Sequence, residues 1–125
     1  MEDWRIYALA FFPELRIDLL DKQTSYYHVF FHAQRILPAL YRSDDDATKR
    51  VFAFAEWCLN HADVDIVNAA HVAFYEHLFD RYDDWEHAAC WIYDDVIKRC
   101  WFLWEARAHL LPGALDELRE LLTVE

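Results

Sequence analysis

The fold is decided by residues 50–78, which read RVFAFAEWCLNHADVDIVNAAHVAFYEHL. Apolar residues recur every three or four positions on both sides of a polar turn, which is the spacing of two amphipathic helices. Asp63 or Asp65 is placed to cap the second helix, because a short side-chain oxygen accepts from its free N–H groups. The predicted inward residues are Val51, Phe54, Ala55, Cys58 and Ala62 in the first helix, then Val67, Ala70, Phe74 and Leu78 in the second.

The same helical spacing extends toward the N-terminus. A first helix is predicted from Trp4 to about Asp21, with a kink or restart at Pro13, because proline lacks the backbone donor and crowds the preceding residue. A second helix is expected to begin at Thr24 or Ser25, and Pro38 disturbs its last turn. The acidic triplet at residues 44–46 is expected to cap the third helix, since carboxylates favour the positive end of the helix dipole.

Toward the C-terminus the pattern predicts two further helices. Two apolar stripes run between Trp85 and Leu103, which predicts one long central helix. Pro112 and Gly113 stop that stretch, and a short final helix follows from Ala114 to about residue 123. Its predicted inward residues are Leu115, Leu118, Leu121 and Leu122.

Glycine content excludes most β architectures. Gly113 is the only glycine among 125 residues, whereas tight hairpins depend on glycine for positive φ. The sequence therefore predicts an all-α fold of five to six helices in a single domain over residues 1–125.

The charge is strongly acidic and unevenly distributed. The formal net charge is −11, from 12 basic and 23 acidic residues. Residues 63–95 contain nine acids and one base, Arg81. Phosphate and anionic membrane surfaces would be repelled by this chain, so no nucleic acid and no membrane is predicted as a partner. A basic protein is favoured, chiefly through a faster, steered encounter.

Cysteine usage and the N-terminus indicate a reducing compartment. The three cysteines, Cys58, Cys90 and Cys100, are odd in number and lack CxxC spacing, so we predict reduced core residues. The start Met1-Glu2-Asp3-Trp4 is acidic, unlike a signal peptide. No apolar run approaches the about 18 residues of a spanning helix. A cytoplasmic protein is expected.

The stretch from Arg50 to Leu78 resembles a HEAT-like repeat. An aromatic-rich helix, an Asp-containing turn and a small-residue helix starting Val-Asn-Ala-Ala carry the resemblance. About a quarter of the chain is also similar to a bacterial family of small, acidic, HEAT-like all-helical proteins that includes immunity proteins of polymorphic-toxin systems. The resemblance implies stacked helical hairpins and a binding protein that neutralises a toxin, and it carries over no catalytic residue.

The acidic segment is interleaved with aromatic rings, which is typical of protein interfaces. We therefore predict an inhibitor that binds a basic enzyme stoichiometrically through this segment. The predicted partner-binding residues are Tyr75, Glu76, Phe79, Asp80, Tyr82, Asp83, Asp84, Glu86, Asp94 and Asp95. The alternative is a homo-oligomeric helical adaptor or regulatory protein, with a homodimer formed through exposed rings.

The sequence motifs do not favour an enzymatic activity. No GxSxG, P-loop or GxGxxG motif occurs, and the prediction is no enzyme, no cofactor and no metal. Two metal alternatives stay open. His28 and His32 share a helix face at i, i+4 spacing, but lack a local third ligand. In a second group of imidazoles and carboxylates, Glu and His are adjacent, whereas helical di-metal sites require a spacing of three residues. This group comprises His71, Tyr75, Glu76, His77, Asp80, Asp83, Asp84, Glu86 and His87.

Overall fold

The computed structural model describes residues 1–107 and 113–123, and all regular elements in these ranges are helical. The all-α prediction is confirmed. The α-helices are α1 (Asp3–Phe11), α2 (Arg16–Leu20), α3 (Tyr26–Ser43), α4 (Asp45–Leu59), α5 (Val64–Ala73), α6 (Trp85–Ala89), α7 (Asp94–Arg107) and α8 (Ala114–Leu121). Single 3-10 turns occupy Pro13–Leu15, Tyr75–His77 and Tyr82–Asp84.

The predicted capping residues are found at the starts of α4 and α5. The Asp44 carboxylate accepts a hydrogen bond from the Ala47 backbone N–H at 3.0 Å. The Asp63 carboxylate accepts from the Asp65 N–H at 2.9 Å. Each bond satisfies a donor that the first turn of a helix leaves unpaired. Pro13 opens a 3-10 turn directly after α1, as predicted.

The number of helices differs from the prediction, because eight α-helices replace five to six among the described residues. The predicted fourth helix ends at Ala73 instead of Leu78, since Phe74 leaves helical geometry at φ −127° and ψ −70°. Its buried ring packs edge-on against Tyr75 and Phe52. The predicted fifth helix is two helices, α6 and α7, and Trp91 between them stacks on Phe52. Ring packing overrides helical periodicity at both breaks.

Rings from four different elements meet in the core. Phe54 of α4 lies 5.5 Å from Phe12 and 5.7 Å from Phe30 of α3, measured between ring centroids. Phe30 in turn contacts Phe74 at the end of α5. Edge-to-face and tilted ring pairs are the favoured arrangements, and each large ring contributes substantial apolar burial. The centre of the fold is therefore α3, α4 and α5, with α1 packed on α4.

Arg5 is the one buried arginine among the described residues, at 8% exposure. Its guanidinium lies 4.5 Å from the Trp4 ring centroid and donates to one carboxylate oxygen of Glu2. The remaining donors reach the connection between α2 and α3. The carbonyl acceptors are Leu19 (3.1 Å), Asp21 (3.0 Å), Lys22 (3.2 Å) and Thr24 (2.6 Å).

Two of the cysteines are core residues and the third is not. Cys58 and Cys100 are fully buried, and burial raises the pKa of each thiol to about 12. Cys90 is exposed, which corrects its predicted core position. It lies just after the end of α6, where the helix stops short of the predicted stripe. Within the described ranges, no helix is both long enough and apolar enough to cross a membrane.

Candidate functional site: an acidic groove

An open groove of about 450 Å³ lies between the segment 82–87 and α8. We call it the acidic groove, because four of the side chains along it are carboxylates. Tyr82 is 60% exposed beside them, and Trp85 and Leu121 supply apolar surface. The lining residues are Tyr82, Asp83, Trp85, Glu86, His87, Glu117, Glu120 and Leu121.

The first wall of the groove is a 3-10 turn followed by α6. In its sequence, Tyr82-Asp83-Asp84-Trp85-Glu86, the adjacent residues Asp84 and Trp85 are buried, and the other three are exposed. Trp85 is buried and donates its indole N–H to the Phe79 carbonyl at 2.7 Å. That anchor fixes the turn, so Asp83 and Glu86 stay exposed on the groove side.

The second wall is α8. The Tyr82 hydroxyl donates to the Glu117 carboxylate, and this hydrogen bond together with the negative charge of Glu117 raises the pKa of the Tyr82 phenol. Arg119 lies over the Trp101 ring at 5.4 Å from its centroid, a cation–π contact. Glu120 completes the row of carboxylates. The groove therefore depends on two segments that are about thirty residues apart in sequence.

The groove carboxylates are not neutralised by the protein itself. Across residues 1–107 and 113–123, no ion pair involves Asp83, Glu86, Glu117 or Glu120. His87 is the basic side chain that lines the groove, and its ring stacks on Tyr41 at 5.7 Å. Four carboxylates without an ion pair, set on a concave surface, attract ammonium and guanidinium groups.

Asp80, a predicted binding residue, is already engaged. Its carboxylate accepts two hydrogen bonds from Arg107, at 3.0 and 2.9 Å. It also lies 2.7 Å from Nδ1 of His77, whose Nε2 is 3.8 Å from Glu76. A bidentate arginine pair is among the stronger ion-pair geometries. Asp80 and Glu76 thus belong to a local charge network outside the acidic groove.

Three predicted binding residues are buried, and the prediction is corrected for them. Tyr75 is 1% exposed, Phe79 6% and Asp84 3%. Tyr75 follows the break after α5, and its carbonyl accepts the indole N–H of Trp104 at 2.7 Å. Phe79 packs edge-on against Trp104 at 4.9 Å. A continuous helix would have turned these rings outward; the break after Ala73 turns them inward.

Asp84 is a buried carboxylate held by two arginines. Its Oδ1 lies 2.8 Å from Nη2 of Arg42, and its Oδ2 lies 3.6 Å from Nε of Arg81. Arg42 approaches out of line, so the contact is an ion pair without hydrogen-bond geometry. Arg42 also donates to the carbonyl of Pro38 at 2.6 Å. This ion pair connects the end of α3 to the 3-10 turn Tyr82–Asp84 and thereby helps to hold the first wall of the groove in place.

Three of the predicted binding residues line the acidic groove, and two further carboxylates that line it were not among them. Tyr82, Asp83 and Glu86 are exposed and line the groove. Asp94 and Asp95 are exposed in the first turn of α7 but do not line it. The missed residues are Glu117 and Glu120. The amphipathic pattern of α8 indicates that both glutamates face outward. It does not indicate which segment of the protein lies across from them.

The histidines form pairs with carboxylates instead of gathering at one point. His28 lies 3.7 Å from Asp18, and His32 lies 2.9 Å from Glu14, so each has a separate partner. Within the described part of the chain, no group of three or more His, Cys, Asp or Glu residues is arranged to hold a metal ion. His71 is different: its Nε2 is buried without a hydrogen bond, and burial, followed by nearby Arg99, lowers its pKa.

The fold and the site together define a class of protein: small, all-helical, and with a groove whose carboxylates form no ion pairs with the described residues. Residues 6–107 match the DUF7674 family, described as a domain of unknown function. Because the match spans most of the chain, the protein belongs to this family. No curated protein and no solved structure matches the chain. The matched range covers α2 to α7 and most of α1, whereas α8 lies outside it.

Proposed function

We propose that this protein is a stoichiometric inhibitor that binds a basic protein through the acidic groove. The observation that carries the proposal is a row of carboxylates without ion pairs to the described residues, set beside exposed Tyr82: Asp83, Glu86, Glu117 and Glu120. Aromatic anchors within a charged rim are typical of binding hot spots. Excess negative charge steers a positively charged partner and raises the association rate.

The partner class that best fits the groove is an enzyme whose active site carries lysines and arginines, such as a nuclease. Carboxylates spaced along a groove can occupy the positions of nucleic-acid phosphates. The resemblance of residues 50–78 to HEAT-like bacterial immunity proteins supports the same proposal. The proposed function is therefore neutralisation of a toxin in the cytoplasm, without catalysis, cofactor or metal.

A HEAT-like arrangement of the central helices is part of this proposal. α3 packs on α4, and α4 packs on α5, so neighbouring helices in sequence are neighbours in space. Arg99 of α7 donates to the Leu59 carbonyl at the end of α4, at 2.6 Å, which attaches α7 to these helices. Sequential stacking of helix pairs is the principle of a solenoid.

The test is a comparison of two variants with the same change in net charge. D83N/E86Q removes two groove carboxylates, whereas D94N/D95N removes two exposed carboxylates outside the groove. Purified wild-type protein first captures its target from native-host lysate at low salt, and association with the isolated target is then followed kinetically. We expect D83N/E86Q to lower the association rate by about tenfold, with a smaller change in the dissociation rate.

The control variant D94N/D95N should lower the association rate less than half as much as D83N/E86Q does, compared on a logarithmic scale. Equal losses in the two variants would show that only total charge matters, and the groove would have no specific role. Unchanged binding in D83N/E86Q at low salt would contradict the proposal outright. Circular dichroism of both variants establishes that the helices are intact.

A second candidate, a homo-oligomeric adaptor, is favoured by one exposed surface. Ile6 is 54% exposed and Tyr7 is 42% exposed on α1, and the Tyr7 ring stacks on Trp57 of α4 at 4.1 Å. Exposed, contiguous apolar surface often marks a contact with another protein. Sedimentation equilibrium decides this case: a monomer at high protein concentration removes the adaptor, and a dimer that I6D/Y7D dissociates supports it.

A further inference from the structure

The C-terminal helix α8 lies outside the range that the family model matches. The family match ends at residue 107, and α8 begins at Ala114, after Gly113 in the left-handed region at φ +76°. The helix is strongly amphipathic. It buries Ala114, Leu118 and Leu122, which are spaced at i, i+4 and i+8, and it exposes Asp116, Glu117 and Glu120.

Few interactions attach α8 to the domain. Among the described residues they are the three buried side chains, partly buried Leu121, which packs against the core, the cation–π contact between Arg119 and Trp101, and the hydrogen bond from Tyr82 to Glu117. No ion pair joins α8 to any other element that the structure describes. By contrast, α7 is tied to α4 and to the segment 75–80 by side-chain hydrogen bonds from Arg99, Trp104 and Arg107.

An isolated helix of eight residues is not stable in water, because nucleation costs more than a few intrahelical hydrogen bonds return. α8 therefore folds only while it is docked, so its folding and docking are one equilibrium. Elements with few buried contacts open locally at lower free energy than the core. In the core, Phe30 of α3 contacts Phe54 of α4 and Phe74 at the end of α5 directly, without a residue of α8 between these rings.

We propose that α8 is a clasp that opens as a unit while α1 to α7 stay folded. Closing the clasp brings Glu117 and Glu120 opposite Asp83 and Glu86 and completes the acidic groove; opening it removes that wall. The inference rests on the proposed function for its biological consequence, which is regulation of partner binding. A partner that bridges both walls binds the closed form and thereby stabilises α8, whereas a partner that uses one wall does not.

Native-state hydrogen exchange of the full chain tests the opening. In wild type we expect the amides of α8 to exchange at least about 100-fold faster than those of α3 to α5. L118D places a charge at a buried position and should abolish protection in α8, leaving α3 to α5 unchanged. R119A removes only the cation–π contact and should speed exchange in α8 by about threefold.

The matched control is L59A, which removes a fully buried leucine from α4. It should speed exchange in α3 to α5 and leave α8 unaffected, because α8 opens without the core. If L118D speeds exchange in α3 to α5 as much as in α8, the two regions unfold together and the clasp is overturned. R119A provides the same comparison even if L118D fails to fold.

Binding of a tetra-arginine peptide at low salt tests the link to the groove. If the clasp completes the groove, the peptide binds L118D at least about tenfold more weakly than it binds wild type or D94N/D95N, despite the added negative charge of L118D. Equal affinity for L118D and wild type overturns the clasp while leaving the first wall as a binding surface. If neither D83N/E86Q nor E117Q/E120Q changes the peptide affinity, the proposed function is overturned. Whether α8 opens separately is then decided by the hydrogen-exchange experiment.

Discussion

Replacement of Arg5 by methionine is expected to lower the free energy of unfolding by about 3–5 kcal/mol. The guanidinium is buried and satisfies four backbone carbonyls between residues 19 and 24. Hydrogen bonds to a charged donor contribute about 1.5–3 kcal/mol each when they are buried, and partly exposed acceptors regain water when the donor is lost. Methionine keeps most of the apolar stem, so the loss reports the guanidinium contacts: the four carbonyl hydrogen bonds together with the contacts to Glu2 and Trp4.

The measurement is urea unfolding followed by tryptophan fluorescence and circular dichroism. Arg16→Met is the control, because Arg16 is exposed on α2 and forms no ion pair with the described residues; its effect should stay within about 0.5 kcal/mol. Arg5→Lys should recover less than half of the loss, since one ammonium cannot reach acceptors on both sides of the connection. A loss below about 1 kcal/mol in Arg5→Met would refute this role.

The second large effect is expected at Arg42. Arg42→Met should lower the free energy of unfolding by about 2–4 kcal/mol, because it leaves the buried Asp84 carboxylate with only Arg81, at 3.6 Å. The arginine side chain is 46% exposed, so we place the loss below the full value for a buried pair. The physical cause is the cost of an uncompensated buried charge.

A double-mutant cycle separates this cause from lost packing. Asp84→Asn in the Arg42→Met background should recover at least about 1 kcal/mol, since the neutral amide no longer needs a cation. Arg81→Met is the matched control: its side chain is 66% exposed and its guanidinium is more distant from Asp84, so it should change stability by less than about 0.5 kcal/mol. Additive losses in Arg42→Met and Asp84→Asn would show that the two groups do not interact.

Several features of the fold follow from local sequence alone. The single glycine and the three-to-four spacing of apolar residues require helices, because both act within one or two turns of backbone. The caps at Asp44 and Asp63 were predictable for the same reason, since a capping carboxylate bonds to an N–H two or three residues away. Exposure of Asp83 and Glu86 could also be read locally, from charge in a turn.

Tertiary contacts decided the helix breaks and the site. Phe74 ends α5 because its ring fits between Phe30 and Phe52, residues more than twenty positions away, and that break buries Tyr75 and Phe79. Asp84 is buried at 3% exposure and lies 2.8 Å from Arg42 of α3, a partner more than forty residues away in sequence. Neither outcome is contained in the periodicity of a single segment.

The acidic groove depends on both local sequence and tertiary packing. The sequence determined that the protein is helical and acidic, and that α8 presents glutamates on its outer face, because composition and period are properties of the chain itself. Only the tertiary structure decided that Glu117 of α8 receives the Tyr82 hydroxyl and that Glu120 lies along the same groove as Asp83. The reason is physical: a side chain's position on its helix is set by neighbours within four residues, whereas its partner across a groove is set by how whole helices pack.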